Sequence, residues 1–287
     1  MLVGLIHAAL TPAPKELAWT GGTLRLTGDA RIICPPEFKG AATVLQSDLA
    51  RLVSLKLRIG NGPPRPGDIV YSKSGTGEGY SLKVAEGITI RAGSIAGASW
   101  AGTTLLQSLK GREIPRMNVK DWPDYPYRGV MLDVARKYHS IEGIRQIVDL
   151  CRVYKLPYLH LHLSDDHLFM FPSQAFPSLG KGNQEFARFD PPSIDGPIEP
   201  YTREELAALD QYAADRGVTL IPEIDMPGHG SRLTQDAPEL FRASEKNPAV
   251  INIGSDKTIA SAKTLLGELM DVFKTTPYIH LGGDEVW

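Results

Sequence analysis

The second half of the sequence predicts an α/β fold, namely the N-terminal half of a TIM (β/α)8 barrel with about four strand–helix units, preceded by a small α+β domain. After about residue 125, apolar strands alternate with amphipathic helices. Strands that are apolar throughout belong in a parallel sheet covered by helices. Polar residues follow every predicted strand, and barrel enzymes build their sites at the carboxyl ends of the strands.

Three segments follow from this pattern. Residues 1–14 contain an apolar run followed by two prolines, and this run favours the remnant of an export signal and hence a periplasmic or extracellular location. Residues 15–120 form the predicted α+β domain, and residues 125–287 form the partial barrel domain. The connector between them is rich in proline and aromatic residues, which marks a domain boundary.

The α+β domain is predicted from one long helical pattern, one hairpin and one short helix. Apolar residues share a helical face over residues 41–57, and a second helix is expected over residues 102–109. Two alternating stretches, 80–84 and 88–91, predict a hairpin. Because no group of catalytic residue types occurs here, we expect this domain to be structural.

The barrel half is predicted from four strands and three helices. Thr202 and Glu205 have the spacing of a capping box, while Ser140 and Asp256 are the candidate N-caps of the other two helices. The predicted strands cover residues 128–136, 158–163, 218–226 and 278–283, and the helices cover 141–154, 202–216 and 256–274. A doubly wound open sheet is the competing architecture, but it normally carries a glycine-rich phosphate loop after its first strand. The turn that begins at Arg136 has no such loop.

Composition excludes several classes of partner. The 287 residues are 42% apolar and 22% charged with a net charge of −2, which is ordinary for a globular protein. This balance provides no basic surface for nucleic acid, and no stretch is long and apolar enough for a membrane span. Cys34 and Cys151 form neither a disulfide framework nor a zinc pattern. We therefore predict no nucleic-acid partner, no membrane span and no cofactor.

An acid pair, Asp284 and Glu285, is the first candidate for catalysis. It follows Gly282 and Gly283 at the mouth of the last predicted strand, where glycines allow a sharp turn and the close approach of a ligand. Neighbouring carboxylates disfavour joint ionisation, so the pKa of one should rise and provide a usable acid. The alternative is a solvated pair that opens a loop.

Further candidates follow the earlier strands. Arg136 ends the first strand, and its guanidinium could hold sugar hydroxyls or form an ion pair with a nearby acid. Asp165 and Asp166 end the second strand, and side-chain alternation predicts that only one of them faces the site. Two prolines and two glycines around the third strand end predict a stiff turn that presents His229 and Asp225.

A metal site is the competing chemistry. His160 and His162 share one face of the second strand, and His229 and His280 could complete a ligand set. In metal-hydrolase barrels, however, the paired histidines belong on the first strand. Packed, hydrogen-bonded imidazoles are the other interpretation, and we predict no metal.

Four of these segments together resemble the motifs of family 20 glycoside hydrolases, the β-N-acetylhexosaminidases. The segments are Arg128–Arg136, His160–Asp166, Pro222–His229 and His280–Glu285, in the family's order and at plausible spacing. The α+β part is similar to that family's small domain, so the resemblance covers nearly the whole chain. One departure is His167, where the family usually has Gln, and it leaves the shape of the following loop open.

The resemblance implies retaining cleavage of terminal β-linked N-acetylglucosamine or N-acetylgalactosamine, with the substrate's own acetamido oxygen as nucleophile. By motif position, Glu285 is the general acid and base, and Asp284 orients the acetamide. Arg136 binds sugar hydroxyls, while Asp165 and His229 form a relay to Glu285. The expected partner is a glycan that ends in an N-acetylhexosamine. A non-catalytic carbohydrate-binding relative and a metal-dependent barrel hydrolase are the alternatives.

The number of strands leads to one further expectation. Residues 125–287 hold four predicted strands, whereas a complete barrel typically needs about 250 residues. The family's later strands supply tryptophans and a tyrosine of the sugar pocket. From the sequence we therefore expect a fragment that, on its own, is inactive and prone to self-association.

Overall fold

The computed structural model describes residues 10–183 and 198–286. Most of the predicted export-signal segment, residues 1–9, lies outside the described residues. The chain divides into two compact units. One contains the chain up to Arg128 with Val148–Pro157 and Ala214–Val218, and the other contains Gly129–Ile147, Tyr158–Ala213 and the chain from Thr219 onward.

The first unit is built on a mixed seven-stranded sheet in the order β1-β7-β5-β6-β4-β2-β3. The strands are β1 Glu16–Arg25, β2 Arg31–Ile33, β3 Arg58–Ile59, β4 Ile69–Lys73, β5 Tyr80–Val84, β6 Ile88–Ala92 and β7 Glu113–Asp121. Two helices, α1 Lys39–Val53 and α2 Ile95–Gln107, pack against each other and bury most of their apolar residues.

The predicted hairpin is confirmed, because β5 pairs antiparallel with β6 from Tyr80 opposite Ala92 to Val84 opposite Ile88. The predicted start of the second helix is wrong by seven residues, since α2 begins at Ile95. Its first two turns consist of small and apolar residues that are almost all buried, so no polar face marks the helix in the sequence. Ser94 caps it by accepting a hydrogen bond from the Gly97 N–H at 3.3 Å.

The second unit contains a parallel three-stranded sheet in the order β10-β9-β8. The strands are β8 Gly129–Asp133, β9 Tyr158–His162 and β10 Thr219–Glu223. The helices of this part of the chain are α3 Ile141–Val153, α4 Arg203–Asp215, α5 Ser231–Asp236, α6 Pro238–Phe241 and α7 Asp256–Val272. The last residues of α3 and α4, 148–153 and 214–215, belong to the first unit. The alternation of strands and helices confirms the α/β prediction.

The fourth predicted strand is correct in place and direction but wrong in extent. It is reduced to a single parallel bridge between His280 and Glu223. The His280 N–H donates to the Pro222 carbonyl at 2.9 Å, so this segment runs beside β10. Gly282 and Gly283 then take φ values of 69° and 99°, which extended backbone cannot accommodate, and the strand ends there.

The helix starts agree with the predicted caps at two of three positions. Thr202 and Glu205 form the reciprocal capping box, with the Glu205 N–H donating to Thr202 Oγ1 at 3.1 Å and the Thr202 N–H donating to Glu205 Oε2 at 2.8 Å. Ser140 accepts a hydrogen bond from the Gly143 N–H at 3.1 Å. The predicted cap Asp256 is wrong, because Ser255 caps α7 and Asp256 is its first residue.

Within the part of the chain that the structure describes, no helix combines the length and the apolar character needed to cross a membrane. The carboxyl ends of β8, β9 and β10 lie at the same edge of the sheet, because Asp133, His162 and Glu223 are direct register partners. The loops that carry the candidate residues all leave from this edge.

Candidate active site

The turn after β8 is held by Asp133. Its Oδ1 accepts hydrogen bonds from the N–H groups of Ala135 and Arg136, at 3.0 and 2.8 Å. The guanidinium of Arg136 lies 2.8 Å from Asp133 Oδ2 and 2.7 Å from Asp165 Oδ2. The ion pair that the sequence offered as an alternative is therefore present, while 42% of the Arg136 side chain stays exposed and accessible to a ligand.

Asp165 is a buried carboxylate that several neighbouring groups contact as hydrogen-bond donors or cations. His162 Nε2 lies 2.8 Å from its Oδ2, and the Asp166 N–H donates to its Oδ1 at 2.6 Å. Burial alone would raise the pKa of Asp165, but the His162 hydrogen bond and the nearby Arg136 charge outweigh burial and lower this pKa. Asp165 therefore remains an anion at neutral pH.

Both carboxylates of the Asp165–Asp166 pair reach the same histidine. His229 Nδ1 lies 3.6 Å from an oxygen of each, so the prediction that only one of them faces the site is wrong. The reason is that β9 ends at His162, and side chains in the following loop no longer alternate. Asp166 is fixed there by the Ser231 N–H, which donates to its Oδ1 at 3.0 Å.

His229 also faces the predicted acid pair. Its Nε2 lies 3.3 Å from Glu285 Oε2 and 3.7 Å from Asp284 Oδ2. This nitrogen is buried and makes no hydrogen bond to any described residue. Gly228 allows the backbone of the acid pair to lie close to the turn that carries His229, because a Cβ at residue 228 would lie 2.7 Å from the backbone oxygen of Asp284. The structure thus brings the predicted residues Asp165, His229, Asp284 and Glu285 into one cluster.

The acid pair is presented to solvent by the two glycines. The side chains of Asp284 and Glu285 are 66% and 63% exposed. At Gly282 a Cβ would lie only 1.7 Å from Asp225 Oδ1, and the Gly283 N–H donates to that same oxygen at 3.2 Å. Asp225 therefore sets the path of the backbone that carries the pair.

The pKa of the Asp225 carboxyl group is raised. Asp225 is 1% exposed, and burial, with the repulsion of neighbouring carboxylates, raises its pKa to about 6. The Gly283 N–H opposes this rise without cancelling it. The site therefore contains one permanent carboxylate, Asp165, close to one that titrates near neutrality.

Sequence reasoning missed the role of Glu223. This side chain is 3% exposed and receives three imidazoles: His162 Nδ1 at 2.6 Å, His160 Nε2 at 2.8 Å and His280 Nδ1 at 2.9 Å. Burial would raise the pKa of Glu223, but His160 and His162 lower it strongly. The available signal was an acid at the carboxyl end of a largely apolar strand, next to a strand carrying two histidines.

The four histidines of the metal hypothesis do not gather in one place. His160, His162 and His280 surround Glu223, whereas His229 lies with Asp165, Asp166 and the acid pair. Four triads have ligand atoms within 4.8 Å of one another: His160, Glu223 and His280; His162, Asp165 and Asp225; Asp165, Asp166 and His229; and Asp225, His229 and Asp284. In the first triad Glu223 already hydrogen-bonds both histidines, and in the second His162 already hydrogen-bonds Asp165, so a cation would have to displace these bonds.

A parallel sheet alternating with helices, with charged residues gathered at the carboxyl ends of its strands, is the arrangement of a barrel-enzyme domain. Comparison with known families agrees with this class. The model of the glycosyl hydrolase family 20 catalytic domain matches residues 125–287, and that of the family's domain 2 matches residues 7–122. The chain belongs to glycosyl hydrolase family 20.

Individual relatives point the same way. A β-hexosaminidase of Porphyromonas gingivalis is 30% identical over 96% of this chain and 38% of its own length, and a β-N-acetylhexosaminidase of Cellulomonas fimi is 31% identical over 97% and 60%. The crystal structure of the exo-β-N-acetylglucosaminidase of Vibrio harveyi with N-acetylglucosamine superposes with a TM-score of 0.82 at 28% identity, over 98% of this chain and 47% of that one. The chain thus spans roughly 40 to 60% of the length of these relatives.

Proposed function

We propose that the protein is a β-N-acetylhexosaminidase that removes terminal β-linked N-acetylglucosamine or N-acetylgalactosamine from glycans with retention of configuration. One observation carries the proposal: Glu285 and Asp284 face His229, which in turn faces the buried anion Asp165. This chain of groups connects an exposed acid to a permanent negative charge through an imidazole that can take up or release a proton.

In the proposed first step, Glu285 donates a proton to the glycosidic oxygen while the C1–O bond breaks. The carbonyl oxygen of the substrate's 2-acetamido group attacks C1, as in the substrate-assisted members of this class of hydrolase. Asp284 orients the acetamide and balances the positive charge of the resulting oxazolinium ion. In the second step water attacks C1 and Glu285, now a carboxylate, takes a proton from that water. The bond between C1 and the acetamido oxygen breaks at the same time, which restores the neutral acetamide.

The remaining residues support these two. His229 stands between Glu285 and Asp165, and Asp165 stabilises the imidazolium that forms when His229 takes up a proton. Arg136, held by Asp133 and Asp165, presents the exposed part of its guanidinium to the sugar hydroxyls. None of these steps requires a metal.

The test is hydrolysis of 4-nitrophenyl N-acetyl-β-D-glucosaminide, and of its galactosaminide counterpart, by the 287-residue chain and by the longest natural form that contains it. For the longest form, the proposal predicts release of nitrophenol and the β-anomer of the free sugar as first product. EDTA should leave the rate unchanged. Loss of the rate in EDTA with recovery in zinc would favour the metal hydrolase, and sugar binding without hydrolysis in every form would favour the non-catalytic relative.

A further inference from the structure

One histidine of the second unit lies between two carboxylates. His162 Nδ1 is 2.6 Å from Glu223 Oε2, and His162 Nε2 is 2.8 Å from Asp165 Oδ2. All three side chains are at least 96% buried, with exposed fractions of 4%, 4% and 2%. Both ring nitrogens therefore meet an anionic oxygen away from bulk water.

This geometry limits the protonation state of the ring. A neutral imidazole has one N–H and one lone pair, whereas an ionised carboxylate can only accept hydrogen bonds. A neutral His162 would direct a lone pair at a buried carboxylate oxygen less than 3 Å away. Only a ring that carries both N–H groups satisfies both contacts while both acids stay ionised.

The charged groups around the ring favour the same state. Asp133 on the neighbouring strand β8 and Asp225 after β10 add negative charge near it. Arg136 binds Asp165 and balances part of this negative charge, while the imidazole of His160 bonds Glu223. A charged ring at His162 offsets part of this excess of acids.

The two oxygens of Asp165 are divided between different partners. Oδ2 contacts His162 Nε2 and the Arg136 guanidinium, at 2.8 and 2.7 Å. Oδ1 accepts from the Asp166 N–H and is the oxygen that faces His229 Nδ1, at 3.6 Å. The contacts to Oδ2 fix the rotation of the carboxylate and thereby direct Oδ1 toward His229.

We propose that His162 is a positioning residue of this site: a permanent imidazolium, anchored on Glu223, that holds Asp165 as an anion in the orientation that serves His229. The catalytic part of this inference rests on the proposed hydrolase function, whereas its protonation part does not. The electrostatics agree, because burial would lower the pKa of His162 but the hydrogen bonds to Asp165 and Glu223 raise it to about 10.

The first experiment measures the protonation state directly. Nitrogen-15 NMR of the histidine-labelled protein at about pH 8, well above the ordinary histidine pKa of about 6.5, should show one ring with both nitrogens protonated. That ring signal should disappear in His162→Gln and persist in His160→Gln. A neutral His162 ring at this pH would overturn the proposal whether or not the protein hydrolyses any glycoside.

The second experiment separates positioning from general structural support. His160→Gln is the matched control, because His160 also bonds Glu223 Oε2 but does not contact Asp165. For His162→Gln we expect kcat to fall by about tenfold or more with little change in KM, and the acid limb of the kcat/KM profile to move to higher pH as Asp165 loses a donor. His160→Gln should leave the position of that limb unchanged.

Each outcome decides one of the two ideas. Equal shifts in both variants, or no shift in His162→Gln, would overturn the positioning role even if the enzyme is active. If neither the unchanged protein nor any variant hydrolyses the substrates, the proposed function fails. The NMR result then still decides whether His162 is the charged group that the geometry requires. If His162→Gln does not fold, sequence-specific resonance assignment of the unchanged protein identifies the His162 ring instead.

Discussion

Gly282 and Asp225 depend on each other at the level of single atoms, because a Cβ at residue 282 would lie 1.7 Å from the Asp225 carboxylate. We expect Gly282→Ala to displace the backbone that carries the acid pair and to lower the free energy of unfolding by about 1–3 kcal/mol more than Gly283→Ala does, the usual cost of forcing an extra carbon atom into filled space. Gly283→Ala is the control, since φ there is also positive but its Cβ would meet open space. Chemical denaturation of both variants checks this, and an equal loss in the two would contradict the steric argument.

The two acids of the pair should respond differently to the leaving group. In the active form, Asp284→Asn should raise the barrier by more than about 2 kcal/mol for every substrate, because an amide cannot balance the developing positive charge. Glu285→Gln should be severe for an alkyl glycoside but milder for a nitrophenyl glycoside, which needs little protonation. Steady-state kinetics on both substrates measure this. Equal losses of Glu285→Gln on the two would argue against Glu285 as the acid.

Asp225 should make stability depend on pH. Its pKa is about 6 in the folded chain against an ordinary value of 3.8, so between these values the folded state holds a proton that the unfolded state has released. The free energy of unfolding should therefore fall as pH rises through this window, and Asp225→Asn should flatten the fall. Urea unfolding at about pH 4 and about pH 6.5 tests this. Asp271→Asn is the control, because Asp271 is an exposed acid whose pKa is lowered by Lys274. This variant should show the same fall in the free energy of unfolding as the unchanged chain.

At the scale of one helix, the capping box of α4 can be tested alone. Thr202→Ala removes the acceptor of the Glu205 N–H and should cost about 1 kcal/mol of stability. Thr264→Ala within α7 is the matched control, because Thr264 is exposed and bonds only the carbonyl four residues earlier. Thermal unfolding of both should show a lower Tm only for Thr202→Ala. A similar drop in both would mean that the cap contributes little.

Elements and site residues differed in how far the sequence could predict them. The strands and two of the three helix caps follow from local sequence patterns. The clustering of Asp165, His229, Asp284 and Glu285 follows from the rule that parallel strands end at one edge. The start of α2 could not be predicted, because a helix buried on all sides has no polar face to reveal its period. The histidine partners of Glu223 could not be predicted either, since they depend on the register between separate strands.

At the scale of the whole molecule, β8 is the exposed edge of the second sheet. Among the described residues it pairs with β9 alone, and Val130 and Met131 on it are 41% and 52% exposed. Unpaired backbone groups beside apolar side chains favour association between chains. We expect the 287-residue chain to self-associate, and Met131→Lys to reduce this by placing a charge on the edge.

Analytical ultracentrifugation of the unchanged chain and two variants would measure this. Met270→Lys is the control, because Met270 is 54% exposed but lies on helix α7 rather than on a sheet edge. A monomeric unchanged chain, or an equal effect of the two substitutions, would contradict association through β8.

The level row of Asp133, His162 and Glu223 across the three strands also has a consequence for how the chain finds its fold. Apolar strands can slide past one another by two residues at small cost, because the same faces stay buried. Here a two-residue slip of β10 would place Ile221 opposite His162. Glu223 would then be buried in the interior without its histidine partner. Since an ionised acid buried without partners is very costly, the mispaired sheet is disfavoured well beyond what apolar packing could achieve. The row of polar residues therefore favours one register of the three strands over registers shifted by two residues.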